Sequence, residues 1–182
     1  IPSVLTDFDG EARFPNPGYP VHPVFPATAP DVGADEFAGI PGARTLNLTL
    51  FLENLYAGGG TMNPASNGTG PKWGATIADH VTVEMHEATF PYALAGGNLV
   101  DLNTDGTASA IVGVNLTESY YIAIRHRNSI ETWSANPVSF AGSTITYAFD
   151  APEKAYGGNL LQMTDGTYVI YGGDVTQDGV VD

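Results

Sequence analysis

Residues 45–53 read TLNLTLFLE, in which Leu46, Leu48, Leu50 and Leu52 alternate with Asn47, Thr49, Phe51 and Glu53. Successive side chains of an extended chain point to opposite faces, so four leucines share one face. A helix would scatter them around its circumference. The stretch therefore predicts a half-buried strand. Residues 80–87, HVTVEMHE, repeat the alternation, with Val81, Val83 and Met85 against Thr82, Glu84 and His86. GNLVDL, SAIVGV, SYYIAIRHR, NPVSF, STITYAF, GNLLQM and TYVIY follow, separated by turns rich in Gly, Asn, Asp, Pro or Thr. The pattern amounts to about nine short strands, and no long stretch keeps a 3.6-residue period.

The expected fold is all-β: an antiparallel β-sandwich of immunoglobulin-like or jelly-roll type over residues 45–172. Residues 1–44 are set apart by eight of the 13 prolines: Pro2, Pro15, Pro17, Pro20, Pro23, Pro26, Pro30 and Pro41. Proline excludes a helix or a central strand there. Phe14, Tyr19, Val24 and Phe25 make the segment an extended arm with apolar anchors, expected to lie along a sheet of its own or a neighbouring subunit. The Gly/Asn-rich residues 57–70 read as a long exposed loop.

Composition narrows the function. Six Lys+Arg against 20 Asp+Glu leave a net charge of −14, which disfavours nucleic acid and anionic membranes as partners. No apolar run approaches the ~20 residues of a membrane span, and no basic-then-apolar leader opens the chain. The absence of cysteine excludes disulfides, thiolate metal sites and a Cys nucleophile together. No nucleophile elbow, zinc-protease helix or phosphate-binding loop occurs, so the expectation is no enzyme.

Residues 173–182, GDVTQDGVVD, have the spacing of a calcium loop. Asp174, Thr176 and Asp178 take positions 1, 3 and 5, Gly179 the turn position 6, the Val180 carbonyl position 7 and Asp182 position 9. The bidentate carboxylate of position 12 would follow Asp182. This stretch resembles the start of a type I dockerin repeat, with Thr176 where that family has Asn or Asp. The departure, with the missing remainder of the repeat, argues against cohesin binding. Thr6 to Arg13 (TDFDGEAR) and Pro30 to Phe37 (PDVGADEF) resemble the closing segment of right-handed parallel β-helix proteins. Tyr120 to Asn128 (YYIAIRHRN), with Trp133 and Ser134, is similar to a β-sandwich module that sits between such regions in large secreted bacterial surface proteins. The resemblance implies a secreted or cell-surface module that spaces, displays or anchors. Its implied partners are other subunits or domains of the same precursor, with calcium at residues 173–182 and no catalytic residue. Head-to-tail assembly through the arm follows as an expectation.

A second reading is a carbohydrate-binding module of a polysaccharide-degrading protein. Tyr121, Arg125, Arg127 and Trp133 are its candidate residues, with Trp73 as a further ring. A sugar site needs a flat ring for stacking and cationic or amide donors for hydroxyls. If Ile122 and Ile124 point inward, His126 does too, leaving Tyr121, Arg125 and Arg127 outside. His80, Glu84 and His86 share one face of their strand, a weak zinc constellation. Asp101 to Gly106 (DLNTDG) has calcium-loop form but lies between two strands, and reads as a hairpin turn.

Overall fold

The computed structural model describes residues 44–176 and 178–180. The Pro-rich arm expected over residues 1–44 thus lies outside the described residues, apart from Arg44. The described chain is mostly strand: β1 (Arg44–Thr49), β2 (Tyr56–Gly58), β3 (Thr61–Met62), β4 (Ile77–Glu87), β5 (Leu94–Asn103), β6 (Thr107–Val112), β7 (Ser119–His126), β8 (Ser129–Trp133), β9 (Val138–Ser139), β10 (Thr144–Ala148), β11 (Leu161–Gln162) and β12 (Tyr168–Val169). The helical elements among the described residues are three-residue 3-10 turns. None is long and apolar enough to cross a membrane.

One curled sheet runs in the order β10-β1-β6-β5-β4-β7-β8, with β9 also on β7; β2–β3 and β11–β12 form separate pairs. The sheet is mixed, a correction to the antiparallel expectation: β1 runs parallel to β10, from Thr45↔Thr144 to Thr49↔Ala148. Parallel neighbours need a long connection, and here β2 to β9 lie between the two strands in the chain. β5 and β6 share only the register pair Leu102↔Ala108, next to their turn. Both halves of the sheet feed one core. Leu46, Leu48, Ala110 and Val112 come from one half, and Val81, Val83, Ile122 and Ile124 from the other.

The leucine alternation of residues 46–52 is realised in full, since all four leucines are buried. The ladder of β1 nonetheless stops at Thr49. Beyond it the Leu50 N–H donates to the Gly106 carbonyl (2.9 Å), and Leu52 forms an isolated parallel bridge with Ile170. The DLNTDG hairpin is present. The Asp105 carboxylate accepts the Thr107 N–H (3.0 Å) and hydroxyl (2.6 Å). Gly106 has φ +83°, and a Cβ there would stand 2.6 Å from the Phe51 ring. Glycine thus serves both the turn and the close approach.

Residues 57–70 depart from the expected exposed loop. They contain the small β2–β3 hairpin, pinned by Met62, which is 4 % exposed. Strand β8 was not foreseen. Its burial pattern has no strict alternation, so period 2 could not reveal it.

Candidate functional site

Strands β4, β7 and β8 build one solvent-facing surface. On β4, Val81, Val83 and Met85 are buried in the core, which leaves His80, Thr82, Glu84 and His86 on the opposite face. Pairing of β4 with β7 sets His86 opposite Tyr121, Glu84 opposite Ala123 and Thr82 opposite Arg125. Pairing of β7 with β8 sets Ala123 opposite Trp133. The register thus makes a row of Glu84, Ala123 and Trp133 across three strands. His80 and His86 lie about 20 Å apart along β4, six residues at ~3.3 Å each.

The His86 end is aromatic. Trp133 lies 4.4 Å from the His86 ring and 6.0 Å from Tyr121, and Tyr121 lies 5.9 Å from Tyr92. Tyr92 is 44 % exposed, and its neighbour Phe90 is 86 % exposed. Tyr92 also holds a left-handed backbone at φ +57°, uncommon for a bulky residue and a source of local strain. The contact between Tyr92 O and His86 Nδ1 (2.9 Å) ties that turn to β4.

Hydrogen bonds hold the middle of the face rigid. Arg125 donates through Nε to Glu84 Oε2 (3.0 Å), and its Nη1 pairs with Glu131 Oε2 (2.7 Å). The Trp133 indole N–H donates to Glu131 Oε1 (2.5 Å), and His86 Nε2 meets Glu84 Oε2 at 3.0 Å. Burial opposes ionisation of Glu84, but the bonds from His86 and Arg125 outweigh it and lower its pKa.

The His80 end is organised by Asp79, buried at a bulge of β4. Its Oδ1 accepts the Trp73 indole N–H and the His80 backbone N–H, both at 2.9 Å. Its Oδ2 accepts Arg127 Nε (3.1 Å) and Nη2 (2.5 Å), and lies 3.2 Å from His126 Nε2. Burial pushes the carboxyl up, but the bonds from Arg127, His80, His126 and Trp73 prevail and hold it at about 2. Burial lowers the pKa of His126 despite the Asp79 carboxylate. The neutral ring then donates from Nε2 to Asp79 and accepts at Nδ1 from the Ser129 hydroxyl at 3.0 Å.

Above Asp79 the Trp73 ring stacks on His80 at 4.1 Å and 22°. The Lys72 ammonium sits 4.5 Å from the indole centroid, and His80 pairs across the strands with Asp101 (3.0 Å). An open cleft of about 510 Å³ runs between this end and Arg125.

The structure therefore brings Tyr121, Trp133 and Arg125 together, as the sequence pattern suggested. Arg127 stands at the other end with Trp73. His126 is buried while Arg125 and Arg127 are exposed, the predicted split of the RHR run. The zinc constellation is not assembled, because His80 engages Asp101 while His86 engages Glu84. Asp79, Lys72 and Tyr92 escaped sequence reasoning. Asp79 has the parity of Val81, Val83 and Met85, so alternation places it inward, but alternation does not show the donors that meet it there. Lys72 and Tyr92 belong to turns without periodicity.

At the C-terminal end, the Asp174 carboxylate is 2 % exposed. It accepts the backbone N–H of Asp178 (3.1 Å) and of Gly179 (3.0 Å), and Asp178 Oδ1 accepts the Val180 N–H (3.0 Å). The first position of the loop thereby folds positions 5 and 6 back over itself, with Gly179 at φ +87°. Asp182 lies outside the described residues. Among the described residues no three His, Asp or Glu side chains converge as a metal cluster.

No family model, no curated protein and no solved structure matches the chain. The functional reading therefore rests on the chemistry of the surface itself.

Proposed function

We propose that the chain is a non-catalytic, secreted or cell-surface module that binds a glycan across the outer face of β4, β7 and β8. The observation that carries the reading is the pair of ring platforms, Trp73 with His80 and Trp133 with Tyr121, joined by fixed Arg and Glu side chains. Rings of this kind offer flat apolar area to the C–H faces of sugars, and the intervening donors and acceptors suit hydroxyls. The platforms stand towards opposite ends of a face on which His80 and His86 lie about 20 Å apart along β4, a span that suits an oligosaccharide rather than a single sugar. Binding without cleavage is supported by two of the carboxylates on this face. Asp79 and Glu84 have lowered pKa values, whereas protonation of a glycosidic oxygen needs a carboxylic acid with a raised one.

The same reading takes the curled sheet as a sandwich, with β10-β1-β6 facing β5-β4-β7-β8 and the glycan on the outside of the second layer. It retains the setting implied by the sequence resemblance, in which the module spaces or anchors other domains of a larger surface protein. The proposed assembly through residues 1–44 rests on the sequence alone.

Trp73→Ala and Trp133→Ala should each weaken glycan binding by about 30-fold, the size of an aromatic hot spot near 2 kcal/mol. A glycan array followed by calorimetry on the captured oligosaccharide measures it. An array with no bound glycan, or binding indifferent to both substitutions, would overturn the proposal.

We also propose calcium as the ligand of residues 173–182. The loop fits in the respect that the described residues test, the return of Asp178 and Gly179 onto Asp174. Asp174, Thr176, Asp178, the Val180 carbonyl and Asp182 would supply its oxygens. Calcium there would neutralise carboxylates that otherwise repel one another. The expected Kd is roughly 10⁻⁴–10⁻³ M, the range of extracellular calcium modules. Calorimetric binding at that strength, lost in Asp174→Ala, is the expected result; tight binding that survives the substitution would place calcium elsewhere.

A further inference from the structure

We infer that the Trp73 end of the cleft takes an acidic sugar: a uronate ring whose C–H face lies on Trp73 and whose carboxylate is held by Lys72 and Arg127. The inference rests on the glycan reading above and adds the charge class of the ligand.

The argument starts from where the few cations stand. The described residues contain five Lys and Arg, at positions 44, 72, 125, 127 and 154. Three of them, Lys72, Arg125 and Arg127, line one cleft, on a chain whose net charge is −14. Their carboxylate partners do not cancel them toward solvent. The Arg127 side chain is 57 % exposed over an Asp79 that is 3 % exposed. Arg125 is 43 % exposed over a Glu84 that is 17 % exposed. In both pairs the carboxylate lies beneath and the guanidinium faces the cleft. Lys72 belongs to none of the ion pairs among the described residues, and its ammonium rests against Trp73.

Neutral sugars need hydroxyl partners and gain little from an ammonium with no carboxylate of its own. A ring carrying a carboxylate uses both features at once. His80 covers one side of the indole. The Lys72 ammonium over the ring swings on its flexible stem to the carboxylate, which leaves that area to the C–H face of the sugar. The exposed edge of the Arg127 fork favours the same planar anion. The overall negative charge does not forbid this. Screening over about 8 Å at physiological ionic strength leaves local groups in control of a contact. The remaining acids on this face are tied down, Asp101 to His80 and Glu131 to Arg125.

The experiment compares oligogalacturonate and alginate oligomers with their carboxyl-reduced counterparts, which keep the ring stereochemistry and lose the charge. Calorimetry on the intact chain should show at least one uronate series binding at least about tenfold more tightly than its reduced form, the worth of one charge-assisted bond. Lys72→Gln should remove most of that difference, read as the ratio of the uronate and reduced-oligomer affinities of the same variant. Raising the salt should weaken the uronate alone. Equal or weaker binding of both uronate series would overturn the inference. So would binding of a chondroitin sulfate oligomer with no response to either uronate, which would move the charge preference to sulfate. Trp73-dependent capture of neutral glycans alone would refute the acidic class and leave the glycan reading standing. Failure to bind any glycan would remove both.

Discussion

Asp79→Asn should destabilise the folded chain by about 3 kcal/mol, as expected when one partner is removed from a buried ionic network. All five groups around the Asp79 carboxylate are donors: Trp73 Nε1, the His80 N–H, two Arg127 nitrogens and His126 Nε2. An amide of the same shape supplies one acceptor oxygen and turns its NH₂ toward donors. Urea denaturation at pH 7 measures the loss, and an unchanged midpoint would show that Asp79 does not hold the site together. The pH dependence provides an independent reading. The folded carboxyl lies at about 2 against an ordinary 3.8, so its contribution is complete above about pH 4 and lost as the pH falls through about 2. The difference corresponds to about 2 kcal/mol. The Asn variant should lack this component of the acid transition. Because Asp79 also fixes the Trp73 indole, the variant should weaken ligand binding at the Trp73 end even at temperatures where it remains folded.

Phe140→Ala should cost about 3–5 kcal/mol. Phe140 is fully buried and packs edge-on against Tyr120 at 5.5 Å and 86°. Its backbone carbonyl also accepts from the Arg44 guanidinium, which reaches the Leu116 carbonyl as well (2.6 Å). The residue therefore joins the β9–β10 connection to the start of β1 and to β7. Removing the ring opens a cavity under Tyr120, whose chain neighbour Tyr121 faces the proposed ligand. Thermal and chemical unfolding should both report the loss. A change below about 1 kcal/mol would mean that this end of the core collapses freely around the gap.

The period-2 pattern of residues 46–52 and 81–85 determined which side chains are buried, because apolar groups on one face of an extended chain must share one environment. It also determined that His80, Glu84 and His86 share the other face, and that the RHR run splits into a buried His126 and exposed arginines. The Asp105–Gly106 turn was legible because its residue types demand that geometry. Neighbours were not legible. Alternation assigns a side chain to a face but says nothing about which strand lies beside it, so the parallel match of β1 with β10 had to come from the folded chain. The same holds for the site. Trp73 and Arg127 are far apart in sequence and meet through the Asp79 carboxylate, which accepts from both. Tyr121 and Trp133 become one platform only through the β7–β8 register. Residue types set the available chemistry; long-range pairing, which depends on the whole sheet closing at once, decided which of those residues act together.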